Sequence, residues 1–105
     1  MKLDATKECW AVIFTSKLRA TADAYADAAN RMTELAQNQS GFLGIESARG
    51  ADGVGITVCY WDSLDAITKW REHTEHELVQ ERGREEFYER YSLHVSRVMR
   101  SVSFP

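Results

Sequence analysis

Residues 55–61, G-I-T-V-C-Y-W, run directly into Asp62-Ser63, and Leu64, Ile67 and Trp70 follow at helical spacing. The hydrophobic period therefore changes from two to about 3.6 across a few residues. Few chains can satisfy that junction. The β-branched and aromatic run suits a pleated, half-buried strand. Asp62-Ser63 supplies a side-chain oxygen for a free N–H in the first helical turn. Asp65 places negative charge at the positive end of the helix dipole. The stretch from Thr57 to Gly83 is thus expected to fold as strand, cap and helix, and it holds two of the three Trp and two of the three His. Beyond Glu72-His73, Thr74 is expected to end one helix and cap a second, which would run from about Glu75 to Tyr88.

The preceding chain supplies the partners for that unit. Cys9 to Lys17 reads as a first strand, with Trp10, Val12 and Phe14 on one face and Ala11, Ile13 and Thr15 on the other. Thr21 is expected to cap a first helix, with Asp23 in its first turn. Tyr25, Ala28, Ala29, Met32, Leu35 and Ala36 form its apolar stripe. Asn38-Gln39-Ser40-Gly41 ends it, with Gly41 as a left-handed terminator. Phe42 to Arg49 is a second strand, Gly50-Ala51-Asp52-Gly53 a hairpin loop, and Val54 to Trp61 the third strand. Glu89 to Ser103 reads as a long last strand.

The order is β-α-β-β-α-(α)-β, which predicts an α+β, ferredoxin-like split βαβ fold with a four-stranded antiparallel sheet. A single domain spanning residues 1–105 is expected. Helices in this fold cover one sheet face. The first and third strands are apolar on both faces, so a homodimer with its sheets face to face is expected to cover the other. These two strands are expected to be neighbours and parallel. Cys9 would then start one and Cys59 end the other, so both are read as buried free thiols rather than a disulfide.

Composition excludes several classes. A net charge of −3 argues against nucleic-acid binding, which needs a basic face. No apolar run approaches the roughly 20 residues of a membrane span. The run from Cys9 to Phe14 is too short for a signal-peptide core and follows Lys7-Glu8, so a cytoplasmic chain is expected.

Three segments carry a family resemblance: the opening strand W-A-V-I-F-T-S, the junction N-Q-S-G-F-L-G-I-E-S from Asn38 to Ser47, and Y-W-D-S-L-D-A-I-T-K-W-R-E-H-T-E-H from Tyr60 to His76. With these the chain resembles the antibiotic biosynthesis monooxygenase family of dimeric α+β barrels. The resemblance implies a homodimer with a pocket between each sheet and its helices. It also implies chemistry on a small electron-rich aromatic of the anthrone or quinol kind, with molecular oxygen as co-substrate and no organic cofactor. Another branch of the family degrades haem. Trp61 and Trp70 match the spacing of its pocket tryptophans, but Gln80 stands where that branch has its iron-ligating His. Trp10 to Lys17 also lacks the branch's Asn. Both departures argue against haem.

Trp70 either lines the implied pocket or packs as core with Leu64 and Ile67. His73 and His76, one turn apart if the helix continues, suit acid–base work near neutral pH. Among Glu72, Glu75 and Glu77 they also suit a solvated surface. Their spacing is not H-E-x-x-H and no second ligand cluster is present, so no metal site is expected. Phe14 and Trp61 are candidates to shape the pocket. Arg84 is a candidate to hold an anionic or phenolate substrate, or else an exposed partner of nearby glutamates. His94, on the last strand, is expected either to face the barrel or to be a buried, hydrogen-bonded histidine. Two functions remain open: an oxygenase using Trp70 with His73 or His76, and a non-catalytic homodimer that binds a small aromatic.

Overall fold

A computed structural model describes residues 3–4, 7–20, 24–73, 76 and 80–105. Its elements are β1 (Trp10–Leu18), α1 (Tyr25–Gln37), β2 (Phe42–Arg49), β3 (Val54–Trp61), α2 (Leu64–Glu72), a π-helical turn (Gly83–Phe87) and β4 (Tyr88–Arg97). They form one four-stranded sheet in the order β2-β3-β1-β4, with every pairing antiparallel. This is the α+β, ferredoxin-like arrangement that the element order predicts.

The expected parallel pairing of β1 and β3 is wrong. Trp10 faces Trp61 and Lys17 faces Val54. The physical reason is the hairpin. The α1 crossover returns the chain in the direction of β1, and the Gly50–Gly53 turn then reverses it before β3 inserts beside β1. In that turn the N–H of Gly50 donates to the C=O of Val54 at 2.9 Å, and Gly53 has φ +87°. The two cysteines remain free, as expected. Cys59 lies opposite Val12, three residues along β1 from Cys9, which is beyond disulfide reach.

Register divides the sheet into two faces. Val12, Phe14, Cys59, Trp61, Leu93 and Val95 share one face. The core forms there, where Ala36 of α1 and Ala66 and Trp70 of α2 close over Trp61. Met32, Leu35 and Ile67 pack around them. The stripe read from α1 is its buried face; on α2, Ile67 and Trp70 lie on the buried face, but Leu64 is 49 % exposed and Ala66 is buried instead. Ser63 caps α2 as expected, its Oγ accepting the Ala66 N–H at 3.0 Å.

Other boundaries differ from expectation. The Thr21 and Asp23 cap of the first helix and the Thr74 cap of the third lie outside the described residues. Within them, α1 begins at Tyr25 and Ala24 supplies no side-chain cap. The second part of the last helical region does not reach Tyr88 as α-helix. It widens into the π turn, which seats Phe87 at 2 % exposure, and Tyr88 is already strand. β4 ends at Arg97 rather than Ser103, because its partner β1 begins opposite it at Trp10. One further bond, Val98 N–H to Cys9 C=O, closes the ladder. His94 is a correction too: it pairs with Ile13 on the face away from the helices, and it is exposed rather than buried.

Candidate functional site

The strand–cap–helix junction brings Trp61 and Trp70 together. Trp61 is fully buried, and its ring stacks on Trp70 with centroids 6.1 Å apart. Trp70 is only 8 % exposed. Of the two readings open for Trp70, the structure realises core packing. The Trp61 Nε1 donor is nonetheless buried without a partner among the described residues. A buried donor left unpaired is costly and marks a place where a polar ligand atom or water is favoured.

His73 and His76 are both drawn to Trp70. α2 ends at His73, where the backbone turns extended and its N–H donates to the Trp70 carbonyl at 3.1 Å. The His73 ring lies 5.8 Å from the Trp70 ring, and its Nδ1 is buried without a partner among the described residues. His76 lies flat on Trp70, with centroids 4.3 Å apart and planes 15° from parallel. Its Nδ1 is 3.0 Å from the same carbonyl. A carbonyl only accepts, so Nδ1 carries the hydrogen of that bond.

Phe14 and Arg84 lie at the other end of the same sheet face. The Phe14 ring sits between Tyr88 at 5.3 Å and Tyr91 at 5.4 Å. Arg84 is exposed, and its Nε donates to the Tyr91 hydroxyl at 2.9 Å. That bond pushes the guanidinium further up from its ordinary range. Tyr91 lies opposite Ser16, six residues along β1 from Trp10, the partner of Trp61. The two strand positions are thus on the order of 20 Å apart. The structure therefore gathers Trp61, Trp70, His73 and His76 at one end and Phe14 and Arg84 at the other.

An apolar strip joins the two ends. Tyr91, Leu93 and Val95 of β4 face the helix side, yet are 42 %, 47 % and 44 % exposed. Leu93 and Val95 pair with Phe14 and Val12, and Val12 packs against the Trp61–Trp70 cluster. The helices thus cover the β3 half of the face, and the β4 half is left open among the described residues.

Sequence reasoning missed a second cluster beside Phe14. Arg49 folds back across the sheet, its Nη2 donating to Ser16 Oγ at 2.8 Å and to the Tyr25 hydroxyl at 3.2 Å. Nη1 donates to the Gly53 carbonyl at 2.6 Å and to that of Ser16 at 3.3 Å. Burial and the neighbouring Tyr25 hydroxyl push the Tyr88 phenol far up. The available signal was Gly55. Hairpin register sets it opposite Arg49, and a Cβ there would come within 2.7 Å of Arg49 Cζ.

Cys59, in the middle of the same face, is half-buried, and burial pushes its thiol from 9.0 up to about 11. In the unfolded chain the thiol ionises nearer its ordinary value. Between about pH 9 and 11 the unfolded state therefore loses its proton first, and stability falls as pH rises. Cys59→Ala is expected to flatten that part of the profile. Urea unfolding of both proteins at about pH 8 and about pH 10.5 checks it.

No helix among the described residues is long and apolar enough to cross a membrane. Known proteins share this architecture. Mycobacterium tuberculosis Rv0793 superimposes with a TM-score of 0.80 at 16 % identity, over 90 % of this chain and 99 % of that one. SnoaB, a cofactor-independent oxygenase from Streptomyces nogalater, gives 0.78 at 10 % identity, over 90 % and 96 %. Both likenesses concern the fold. A curated relative, the uncharacterized protein YqjZ of Bacillus subtilis (strain 168), is 52 % identical over 95 residues, spanning 90 % of this chain and 83 % of that protein. The family model for antibiotic biosynthesis monooxygenase matches residues 12–82, from β1 to the helical residues before the π turn. The chain belongs to the antibiotic biosynthesis monooxygenase family.

Proposed function

We propose that the protein is a homodimeric oxygenase that needs no organic cofactor and acts on a flat, electron-rich aromatic of the anthrone or quinol kind. The observation that carries this reading is the open strip of Tyr91, Leu93 and Val95 on the helix-bearing face. It runs from a guanidinium held by Tyr91 to a histidine laid on Trp70. A planar ring system suits the strip and the Phe14 edge beside it. Arg84 keeps its Nη groups for a phenolate or carboxylate oxygen.

In this reading His76 Nε2 takes a proton from the substrate, leaving an electron-rich anion. The anion passes one electron to dioxygen, and the resulting radical and superoxide combine to form a C–O bond. Protonation of the peroxide and loss of water then give the ketone or quinone. Overall a CH2 group and O2 become C=O and H2O, so no outside reductant is needed. The unpartnered Trp61 Nε1–H beside Trp70 would hold the oxygen anion as it forms. Haem does not fit these residues. Gln80 offers a weakly ligating amide where the haem-degrading branch has its His. The His76 ring is closed against Trp70, with no room for a macrocycle between them.

The test is oxygen uptake by metal-free protein with a panel of anthrones and hydroquinones. Saturable uptake is expected, reduced roughly 100-fold or more by His76→Ala. Turnover unchanged in both His76→Ala and Trp70→Ala would sink the assignment. The second reading, a non-catalytic binder of the same aromatics, is favoured by the 8 % exposure of Trp70, which leaves little of the ring for a substrate. It predicts saturable quenching of tryptophan fluorescence by the panel with no oxygen consumed.

A further inference from the structure

Arg49 is a half-buried cation that no carboxylate pairs with among the described residues. Four of its five N–H groups go instead to neutral acceptors: the Ser16 hydroxyl and carbonyl, the Gly53 carbonyl and the Tyr25 hydroxyl. A guanidinium so occupied has little left to offer a ligand directly. What it holds in place matters more. Ser16 is 3 % exposed and Tyr25 opens α1, so one side chain ties β1, β2 and the first turn of α1 together. Its charge also favours an anion at this end of the sheet face.

From Arg49, contacts run without a gap to the Arg84 end of the open strip. Arg49 Cζ lies 5.1 Å from the centre of the Tyr25 ring. Tyr25 meets Tyr88 edge-to-face at 5.8 Å, and their hydroxyls are hydrogen-bonded. Tyr88 in turn meets Phe14 at 5.3 Å and Tyr91 at 5.9 Å. The Tyr91 hydroxyl then accepts the bond from Arg84 Nε. The π turn presses on the same stack, because a Cβ on Gly83 would lie 3.0 Å from Tyr88 Cε2. Rings packed this closely do not shift singly, so a displacement of Tyr25 is passed on to Phe14 and Tyr91.

The position of the guanidinium is itself narrowly set. Four bonds fix it from one side. Buried Gly55 fixes it from the other, since a Cβ there would come within 2.7 Å of Cζ and 3.0 Å of Nε. Lysine has no planar fork with which to serve Ser16 and Tyr25 together.

We propose that Arg49 is a positioning residue for the anion-holding end of the site: through Tyr25 and Tyr88 it fixes Phe14 and the Tyr91 hydroxyl that aims Arg84. The inference rests on the reading of the open strip as an aromatic-binding site. It adds the element that makes one end of that strip selective for a negatively charged ring substituent.

The test is the Kd of two probes of equal size, anthracene carboxylate and its uncharged carboxamide, measured by quenching of tryptophan fluorescence. Quenching needs no turnover, so the result is readable even if no oxygen is consumed. The variants are Arg49→Lys, which keeps the charge and loses the fork, and Gly55→Ala, which keeps Arg49 and displaces it. Arg84→Ala and Arg49→Lys/Arg84→Ala complete a cycle, with circular dichroism as the control for folding.

In Arg49→Lys and in Gly55→Ala the Kd of the carboxylate is expected to rise roughly 10-fold and that of the carboxamide less than about threefold. The double variant should bind the carboxylate no more weakly than Arg84→Ala alone, because Arg49 acts through Arg84. Equal losses on both probes, or losses that add in full across the cycle, overturn the positioning role and leave the binding site standing. Wild-type affinity for the carboxylate in Gly55→Ala overturns it as well. A wild-type protein that neither probe quenches overturns the proposal together with the aromatic-binding reading.

Discussion

Replacing Trp61 by alanine is expected to lower the unfolding free energy by about 4 kcal/mol, the usual cost of truncating a buried tryptophan. The residue has no exposed surface, and it carries the contacts that join three elements. Phe42 of β2 meets its ring edge-on at 5.5 Å, Trp70 of α2 stacks on it, and Ala36 of α1 closes the cluster. A cavity there cannot collapse without moving both helices. A domain of this size has a total stability of only about 5–15 kcal/mol, so the loss is a large share of it. The midpoint of thermal unfolding should fall by roughly 20 °C. Trp61→Phe keeps the edge contact and removes the unpartnered indole N–H, so it should cost less than half as much. Calorimetry of the two variants checks both values. Equal losses would mean that the indole N–H has a partner that the described residues do not include.

Gly41→Ala is expected to cost about 3 kcal/mol, from two separable sources. The residue has φ +88°, where a side chain costs roughly 1–2 kcal/mol. A Cβ would also sit 2.7 Å from Ala66 Cβ and 2.5 Å from Asp62 Oδ1. Asp62 is exposed and can swing aside, but Ala66 is locked in the core, so overpacking adds roughly another 1–3 kcal/mol. Gly53 provides the comparison. Its φ is +87°, yet its nearest atom to a Cβ is 3.5 Å away. Gly53→Ala should therefore show the strain without the clash. In Gly41→Ala/Ala66→Gly the clash term should be recovered, which urea unfolding of the wild type, Gly41→Ala, Ala66→Gly and the double variant measures as a coupling energy. Additive losses would show that Ala66 yields and that the strain alone acts.

The parts of the fold legible in the sequence were those set by local chemistry. Ser63 caps α2 because its position before a helical stripe allows little else, and the Gly50–Gly53 turn fixes the β2–β3 register for the same reason. Direction and boundaries were harder. The parallel β1–β3 expectation failed because the hairpin reversal was not carried through to the next pairing. Phe87 and Tyr88 fit a helical stripe and a strand equally well, so periodicity could not reveal the π turn between them. His94 alternates correctly for a strand, but its exposure depends on which face the helices take.

The candidate site divides along similar lines. Trp61, Trp70, His73 and His76 were singled out by type and spacing, and the structure does bring them together. The separation of Arg84 from that group follows from β4 register, which no local pattern encodes. Arg49 resembles a solvated residue at a strand end. Only its pairing with Gly55 shows the space into which it folds.

The pairing of Trp10 with Arg97 bears on how the molecule is made. β1 is one of the two inner strands and the first strand of the sheet to be synthesised, yet its neighbour β4 is the last. A nascent chain can form the β2–β3 hairpin early, because that contact is local. It can then add β1 by closing a loop that contains α1. The fourth strand cannot dock until residues 88–97 have left the ribosome. Until then one edge of β1 exposes unpaired N–H and C=O groups beside Val12 and Phe14, the kind of edge that invites wrong partners. Such high contact order predicts slow folding and a premature-termination product that aggregates rather than persisting as a smaller soluble domain.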